Sequence, residues 1–508
     1  MTDRPPARLE RLARGAALQL AGKLTGRGAG FAAQMVLARV LGPAAYGVYG
    51  IGWTLFHLVG LVASLGLEHG AVLHASRHLG RDPDRLAAVL WRCLRLALLS
   101  GAAFGAGLAL AAPLLAHEVF STPELEPVLM GFGAGVVLVV GTRVAAASTR
   151  VSQRMRYSTL AEDLVAPVGH LAFVAVLLGM GWRLLAAVAA PVAAYAVAFA
   201  VALASLRLLY PGRLTSAGPA DPPTGRLLAF SMATSLSGIL GLLILWADRL
   251  LVGYYLPEAE TGIYIVASQI ALLFAVVLSA FNTVFSPMIA ELYSKGDHRE
   301  LEALFRTSTR WGIYVTVPGA LAIVAFPAGL LGVVGEGYTA GALPLVLLVA
   351  GQMANLVTGA VGFLLVMSGR QNRLLALTAG GLVANVVLNA LWIPRYGLAG
   401  AALATALSLG VLFTVVLFTV RGSLGLWPYD RRLVKGAVAA LAAAGGLAAL
   451  RWAVDGVAPW HVAGAAALAY GVFAAALLVQ GLDPEDRQTA RSLLGRLGGG
   501  SGRSEGPP

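Results

Sequence analysis

Lys23 and Arg27 stand four residues apart in an apolar run that continues to about residue 40. Residues four apart share a face of a helix, and Gln34 continues that face at helical spacing. At about 1.5 Å of rise per residue, Arg27 lies about 20 Å beyond Arg14, near mid-membrane if the run spans a bilayer. A basic residue there costs about 2.5–3.5 kcal/mol on insertion scales and normally faces a cavity. Such a pair suits an anion, because the guanidinium offers a two-pronged fork for a phosphoryl group. Arg143, in a later apolar run, is a further candidate of the same kind, or else a flank of the basic loop that follows it.

A second set is acidic and amide. Asp248 is a carboxylate inside an apolar run, about 13 Å of helical rise short of Pro257. A carboxylate so placed is a functional hypothesis by default. Its neighbour Arg249 offers a salt bridge, but adjacent helical residues point about 100° apart. Asn385 and Asn389 share a face of a later run, and Ala401 and Thr405 stand one turn apart in the run after that. The bland alternative is that the two amides only tie helix to helix.

The elements that must carry these groups follow from composition. Of 508 residues, 58% are hydrophobic and 12% charged, against about 45–50% and about 25% in soluble domains. Mean hydropathy is +0.77. A single soluble core would not hide this much apolar residue, and the 62 Gly and 24 Pro show no collagen-like period. The chain is expected to be an all-α polytopic membrane protein. Spans of about 20 apolar residues fall at roughly 15–40, 44–66, 87–112, 126–148, 158–180, 183–206, 227–253, 261–286, 308–332, 342–367, 373–394, 397–420, 433–452 and 458–481, fourteen in all.

Charge orients them. With the N-terminus cytoplasmic, 29 of the 37 basic residues fall in cytoplasmic segments and five (Arg39, Arg183, Arg249, Arg395 and Arg451) on the other side; Lys23, Arg27 and Arg143 lie within spans. This is the positive-inside pattern, and it accounts for the net charge of +12 without nucleic acid. Both termini are then cytoplasmic.

The chain also repeats itself. LGPAAYGVYG (Leu41 to Gly50) recurs as YLPEAETGIY (Tyr255 to Tyr264), aligning Gly47 with Gly262 and Tyr49 with Tyr264 at an offset of 215. The same offset pairs Asp82 with Asp297, Leu86 with Leu301 and Arg95 with Arg310. The expected organisation is a six-helix lobe at 1–206, a cytoplasmic Pro- and Gly-rich linker at 207–226, a second six-helix lobe at 227–421, helices 13 and 14 at 422–482 and a cytoplasmic tail at 483–508. Six is even, so the lobes enter the membrane in the same sense, as in parallel-repeat transporters built for alternating access.

Several features point to packing rather than chemistry. The lone Cys93 forbids an intrachain disulfide and reads as helix filler. Gly22, Gly26 and Gly30 at four-residue spacing, and GFGAGV from Gly131, mark close helix contacts; a dinucleotide fingerprint would need a preceding strand. His57 and His170 are single histidines on apolar helices and read as packing residues. Glu162 and Asp163 read as first-turn acids suited to a helix dipole. Glu68, His69 and His74 read as a solvated flank. No metal-spaced cluster or nucleophile–base pattern stands out, so an enzyme is not expected.

The whole layout resembles the multidrug/oligosaccharidyl-lipid/polysaccharide flippase superfamily, most closely its polysaccharide branch of O-antigen-flippase-like proteins. The resemblance is carried by LARVLGPAAYGVYG, ADRLLVGYYLPEAETGIYIVASQI, SPMIAELYSKGDHRELEALFRTSTRW, GEGYTAGALPLVLL and PRYGLAGAALATALS, in order, and covers residues 10 to 480. It implies a flippase that moves a lipid-diphosphate-linked oligosaccharide from the inner to the outer leaflet of a bacterial or archaeal cytoplasmic membrane, for cell-surface polysaccharide. Lys23, Arg27, Gln34 and Arg143 would then face the diphosphate. Asp248, Asn385, Thr405 and the carbonyl of Ala401 resemble the sodium site of lipid II flippases in the same superfamily, with Asn389 an amide where those have an acid. The implied coupling ion is sodium or a proton, with no other cofactor. The implied partners are the polyprenyl-diphosphate glycan, membrane lipids, and glycosyltransferases or a polymerase of a glycan pathway, with no nucleic acid. The rival within the superfamily is a cation-coupled multidrug efflux transporter, whose pocket would be acidic and aromatic, whereas the first lobe here offers Lys23 and Arg27.

Overall fold

A computed structural model describes residues 5–210, 223–454 and 459–481. Most of the expected linker, the expected tail at 483–508 and the basic residues Arg4, Arg213 and Arg487 to Arg503 lie outside the described residues.

All regular structure among them is helical. In lipid every backbone N–H and C=O must be satisfied within the segment, which a helix does and an open strand does not. Among the described residues, 11 helices are long and apolar enough to cross a membrane, or 12 with a bent pair counted as one span. The chain is a multi-pass membrane protein.

The helices that matter to the site are α1 (Pro5–Ala63), α2 (Leu67–Ser76), α3 (Pro83–Leu114), α4 (Leu125–Arg150), α5 (Ala166–Gly179), α6 (Leu184–Leu209), α7 (Thr224–Tyr255), α8 (Glu258–Lys295), α9 (His298–Ala325), α10 (Pro327–Val334), α11 (Ala342–Thr358), α12 (Gln371–Leu424), α13 (Leu433–Ala453) and α14 (Pro459–Val479). At 59 and 54 residues, α1 and α12 would each run about 80–90 Å, far beyond a hydrocarbon core of about 30 Å. Each is broken at one glycine. Gly42 has φ 76° and ψ 171° and is followed by Pro43; Gly397 has φ 55° and ψ −136°. Those are conformations that a residue with a Cβ avoids.

Two of the expected spans are less regular than their hydropathy suggests. The run at 308–332 bends by 83° between α9 and α10, because Pro327 has no N–H to continue the ladder. The run at 342–367 stops at Gly359 (φ 73°), where a Cβ would lie 2.1 Å from Thr309 Oγ1. The expected flank at the end of the second span is instead the short helix α2. There His74 is 7% exposed and packs edge-on against Phe230 of α7.

Helices of residues 5–209 pack on one another, those of 224–424 do likewise, and the two sets meet chiefly along α1 against α8. The pair α13 and α14 lies against α9. Positions aligned by the repeat do equivalent work. Asp82 caps α3 by accepting from Arg85 N at 3.0 Å, and Asp297 caps α9 by accepting from Glu300 N at 3.0 Å. Gly47 and Gly262 meet each other: a Cβ on Gly47 would lie 1.9 Å from the Glu258 carbonyl, and one on Gly262 2.0 Å from the Pro43 carbonyl. The expected packing glycines do pack. A Cβ on Gly26 would lie 1.8 Å from the Asp163 carbonyl, and one on Gly22 2.3 Å from Thr159. Cys93 is fully buried among apolar side chains.

Candidate functional site

Where α1, α5, α7 and α8 draw together they line an open cavity of about 710 Å³. Lys23, Arg27 and Gln34 line it from one stripe of α1, as their spacing requires, and Arg249 lines it from α7. Arg27 is exposed to the cavity and Lys23 half-buried. Gln34 is held fast: its amide donates to Tyr49 Oη at 2.8 Å and accepts from Tyr46 Oη at 3.0 Å, and Gln269 Nε2 of α8 donates to Tyr46 Oη at 3.0 Å. Gln34 therefore contributes a tied wall rather than a free amide. Arg143 is not among the lining residues. It sits half-buried on α4, acting electrostatically on Glu162, His57 and Tyr195.

Glu162 and Asp163 do not open a helix. They fall in a π-helical segment, Thr159–Val165, a form frequent at functional sites, and both line the cavity. Glu162 is paired with Arg150 of α4, and Asp163 interacts with Lys23 and Arg27. His170 also lines the cavity and stacks on Trp53 at 5.3 Å. His57 meets the Trp53 carbonyl at 3.1 Å.

On the far side of α7 lies a buried polar cluster. Asp248, Asn385, Asn389, Ala401 and Thr405 are 1%, 0%, 0%, 0% and 4% exposed. The Asp248 carboxylate accepts from Arg249 N at 2.8 Å, from Tyr264 Oη at 2.6 Å and from Thr405 Oγ1 at 3.0 Å. Asn385 Nδ2 donates to Thr405 Oγ1 at 3.3 Å, and Asn389 Nδ2 donates to the Asn385 carbonyl at 2.8 Å. This leaves Asn385 Oδ1 and Asn389 Oδ1 buried with no hydrogen-bond partner. An orphaned buried acceptor costs about 1–3 kcal/mol, and the two belong to a hydrogen-bonded chain that ends on one carboxylate, an oxygen set with a single negative charge. That donor chemistry fits a hard monovalent cation. Among the described residues no group of three or more His, Cys, Asp or Glu is placed to hold a metal ion. Tyr264 is a member that spacing alone does not reveal; its only sequence signal is its alignment with Tyr49.

Arg249 is the main correction. The charge count assigned it to an outer segment, yet it is 3% exposed within α7. The Asp248 oxygens go to a backbone N–H and two hydroxyls, while the Arg249 guanidinium lies 5.5 Å over the Trp246 ring at the cavity.

The end of the molecule beyond the cavity is stitched across. Tyr338 Oη donates to the Ala38 carbonyl at 2.7 Å, Arg39 donates to the Val333 carbonyl at 2.5 Å, and Thr122 donates to Glu258 at 2.9 Å. The glycine contact of Gly47 and Gly262 lies at the same end.

The chain is similar to known proteins in sequence and in fold. The chain is 25% identical over 186 residues to the probable low-salt glycan biosynthesis flippase Agl15 of Haloferax volcanii, a match covering 36% of this chain and 39% of that one. It is 24% identical over 169 residues to the probable flippase AglR of the same organism, covering 32% and 35%. The chain thus spans well under half the length of these curated relatives. Among solved structures, the lipid II flippase MurJ in an inward closed conformation superposes with a TM-score of 0.69 at 13% identity, over 90% of this chain and 98% of that one. An inward-facing multidrug resistance MATE family transporter of the MOP superfamily gives 0.67 at 16% identity, over 81% and 98%. Residues 36–336 match the polysaccharide biosynthesis protein family. That match covers more than half of the chain: the protein belongs to the polysaccharide biosynthesis protein family.

Proposed function

We propose that this protein carries a lipid-diphosphate-linked oligosaccharide from the inner to the outer leaflet of the cytoplasmic membrane by alternating access, for cell-surface polysaccharide. The observation that carries this reading is the cationic wall of the cavity. Lys23 and Arg27 are basic residues held inside a membrane segment, where charge is retained for a ligand or a partner. The acids on the same wall do not reverse the sign, because Glu162 is spent on Arg150 and Asp163 faces Lys23 and Arg27. An efflux pump for organic cations would need the opposite balance.

In this reading the membrane is crossed fourteen times. Each of the double-length helices α1 and α12 counts as two spans, and the bent pair α9 and α10 counts as one. The first two six-helix sets form the lobes, with α13 and α14 added at the side and both termini cytoplasmic. The cluster of Asp248, Asn385, Asn389 and Thr405, with the Ala401 carbonyl one turn away, holds the coupling ion, taken here as sodium. Glycosyltransferases or a polymerase of the glycan pathway would supply or consume the cargo.

The test is reconstitution of the full chain in liposomes carrying a polyprenyl-diphosphate oligosaccharide in the inner leaflet. Glycan reaching an external glycosidase in a sodium-dependent manner supports the reading. Export of an organic cation with no movement of the lipid-linked glycan overturns it.

A further inference from the structure

Arg249 is a buried charge whose hydrogen-bonding capacity the interior of the protein leaves partly unused. It is 3% exposed, and its Nε and Nη2 have no hydrogen-bond partner. Buried donors of a charged group left without hydrogen bonds are costly, and the planar fork of a guanidinium has its complement in a phosphoryl group. Its guanidinium lies over the ring of Trp246, which also lines the cavity and steadies the cation through its π-face. The position aligned with Arg249 in the first half of the chain is Gln34, at the offset of 215. Both line the cavity, but the Gln34 amide is committed to Tyr46 and Tyr49. Of these two equivalent positions, only that of Arg249 has uncommitted donors.

The preceding residue is the one carboxylate of the cation cluster. Asp248 turns away from the cavity to Tyr264 and Thr405, and its Oδ1 accepts from Arg249 N at 2.8 Å. One peptide unit therefore separates the proposed cation site from the cavity wall. With the cluster empty, the Asp248 charge offsets that of Arg249 across a poorly screened interior. With a monovalent cation seated, that offset is cancelled and the cavity gains a full positive charge at Arg249.

Building on the function proposed above, we infer that Arg249 is a cargo-binding residue, and that the Asp248–Arg249 pair makes cation loading and anion loading reinforce each other. Linkage makes the effect reciprocal: whatever factor sodium adds to anion affinity, the anion adds to sodium affinity. A transporter holding sodium alone or the anion alone is then the less favoured species, and the two ligands load together.

The experiment uses the purified full-length protein in nanodiscs, with farnesyl diphosphate as probe and farnesol as its uncharged counterpart. Affinities are measured in sodium and in choline at equal ionic strength. Farnesyl diphosphate should bind roughly tenfold more tightly in sodium, within the usual range of coupling between sites, and farnesol should show no such difference. Arg249→Gln should weaken diphosphate binding about tenfold and abolish the sodium effect, whereas Arg249→Lys should keep part of both. Asp248→Asn should bind the diphosphate equally in sodium and choline, and at least as tightly as the parent does in sodium. Equal affinity of the parent protein in the two salts overturns the coupling, whatever the variants do. Unchanged binding by Arg249→Gln, in a parent that prefers diphosphate to farnesol, overturns the role of Arg249 and leaves the proposed cargo standing. A parent that does not prefer the diphosphate at all defeats both.

Discussion

Arg27 reaches the cavity from an exposed position on α1, so truncating it removes charge without opening a packed contact. A hydrogen bond to a charged group contributes about 1.5–3 kcal/mol. Arg27→Ala should therefore lower diphosphate-lipid transport by roughly 10- to 100-fold while the protein still inserts. Arg27→Lys should recover part of that loss, since an ammonium keeps the charge and gives up the fork. Complementation of a flippase deletion gives the readout, and full complementation by the alanine variant would reject the cavity role. The cation cluster makes a second prediction. Asp248→Asn keeps the shape but removes the only carboxylate, and transport should lose its sodium dependence. Asn389→Asp adds an acid where an orphaned amide oxygen stands, and should raise apparent sodium affinity in a titration of transport against sodium. Undiminished, equally sodium-dependent transport by Asp248→Asn would rule out the site.

At the scale of elements, the contact between Gly47 on α1 and Gly262 on α8 is two-sided, each glycine abutting backbone of the other helix. Ordinary van der Waals contact needs about 3.5 Å or more between heavy atoms, so Gly47→Ala or Gly262→Ala would force these helices apart by more than an ångström. Opening that end is the movement alternating access demands, so either substitution should bias the protein toward it. Leu273 lines the cavity and is 41% exposed, whereas the native Cys93 is fully buried. A Leu273→Cys reporter should accordingly react several-fold faster with a membrane-impermeant thiol reagent applied from the outer side when Gly47→Ala is present. An unchanged labelling rate would show that this contact does not hold the outer end closed.

For the molecule as a whole, the distribution of charge predicts orientation. Reporters fused after Pro123 and after Gly337 should read as external, and one fused after Gly218 as cytoplasmic. A cytoplasmic signal at Gly337 would break the proposed pairing of two parallel six-helix lobes, because the stretch from Tyr338 to Ala38 would then have to join opposite faces of the membrane. The bond between those two residues instead joins the halves at one end.

Much of this protein was legible from its sequence. Hydropathy is a local property, so composition alone marks a polytopic helical chain, and the 215-residue offset foretells that Asp82 and Asp297 cap equivalent helices. Spacing within one helix puts Lys23, Arg27 and Gln34 on one face, because that depends only on the 3.6-residue turn. Other features depended on how helices are rotated and seated against one another, which no single helix encodes. Only tertiary structure decides that Gln34 is tied to two tyrosines, that Arg143 stands behind the wall rather than on it, and that Tyr264 completes the Asp248 cluster. Arg249 is the sharpest case. Its identity and its neighbour are plain in the sequence, but a residue 100° around the helix from Asp248 faces a cavity only because α1 and α8 leave one there.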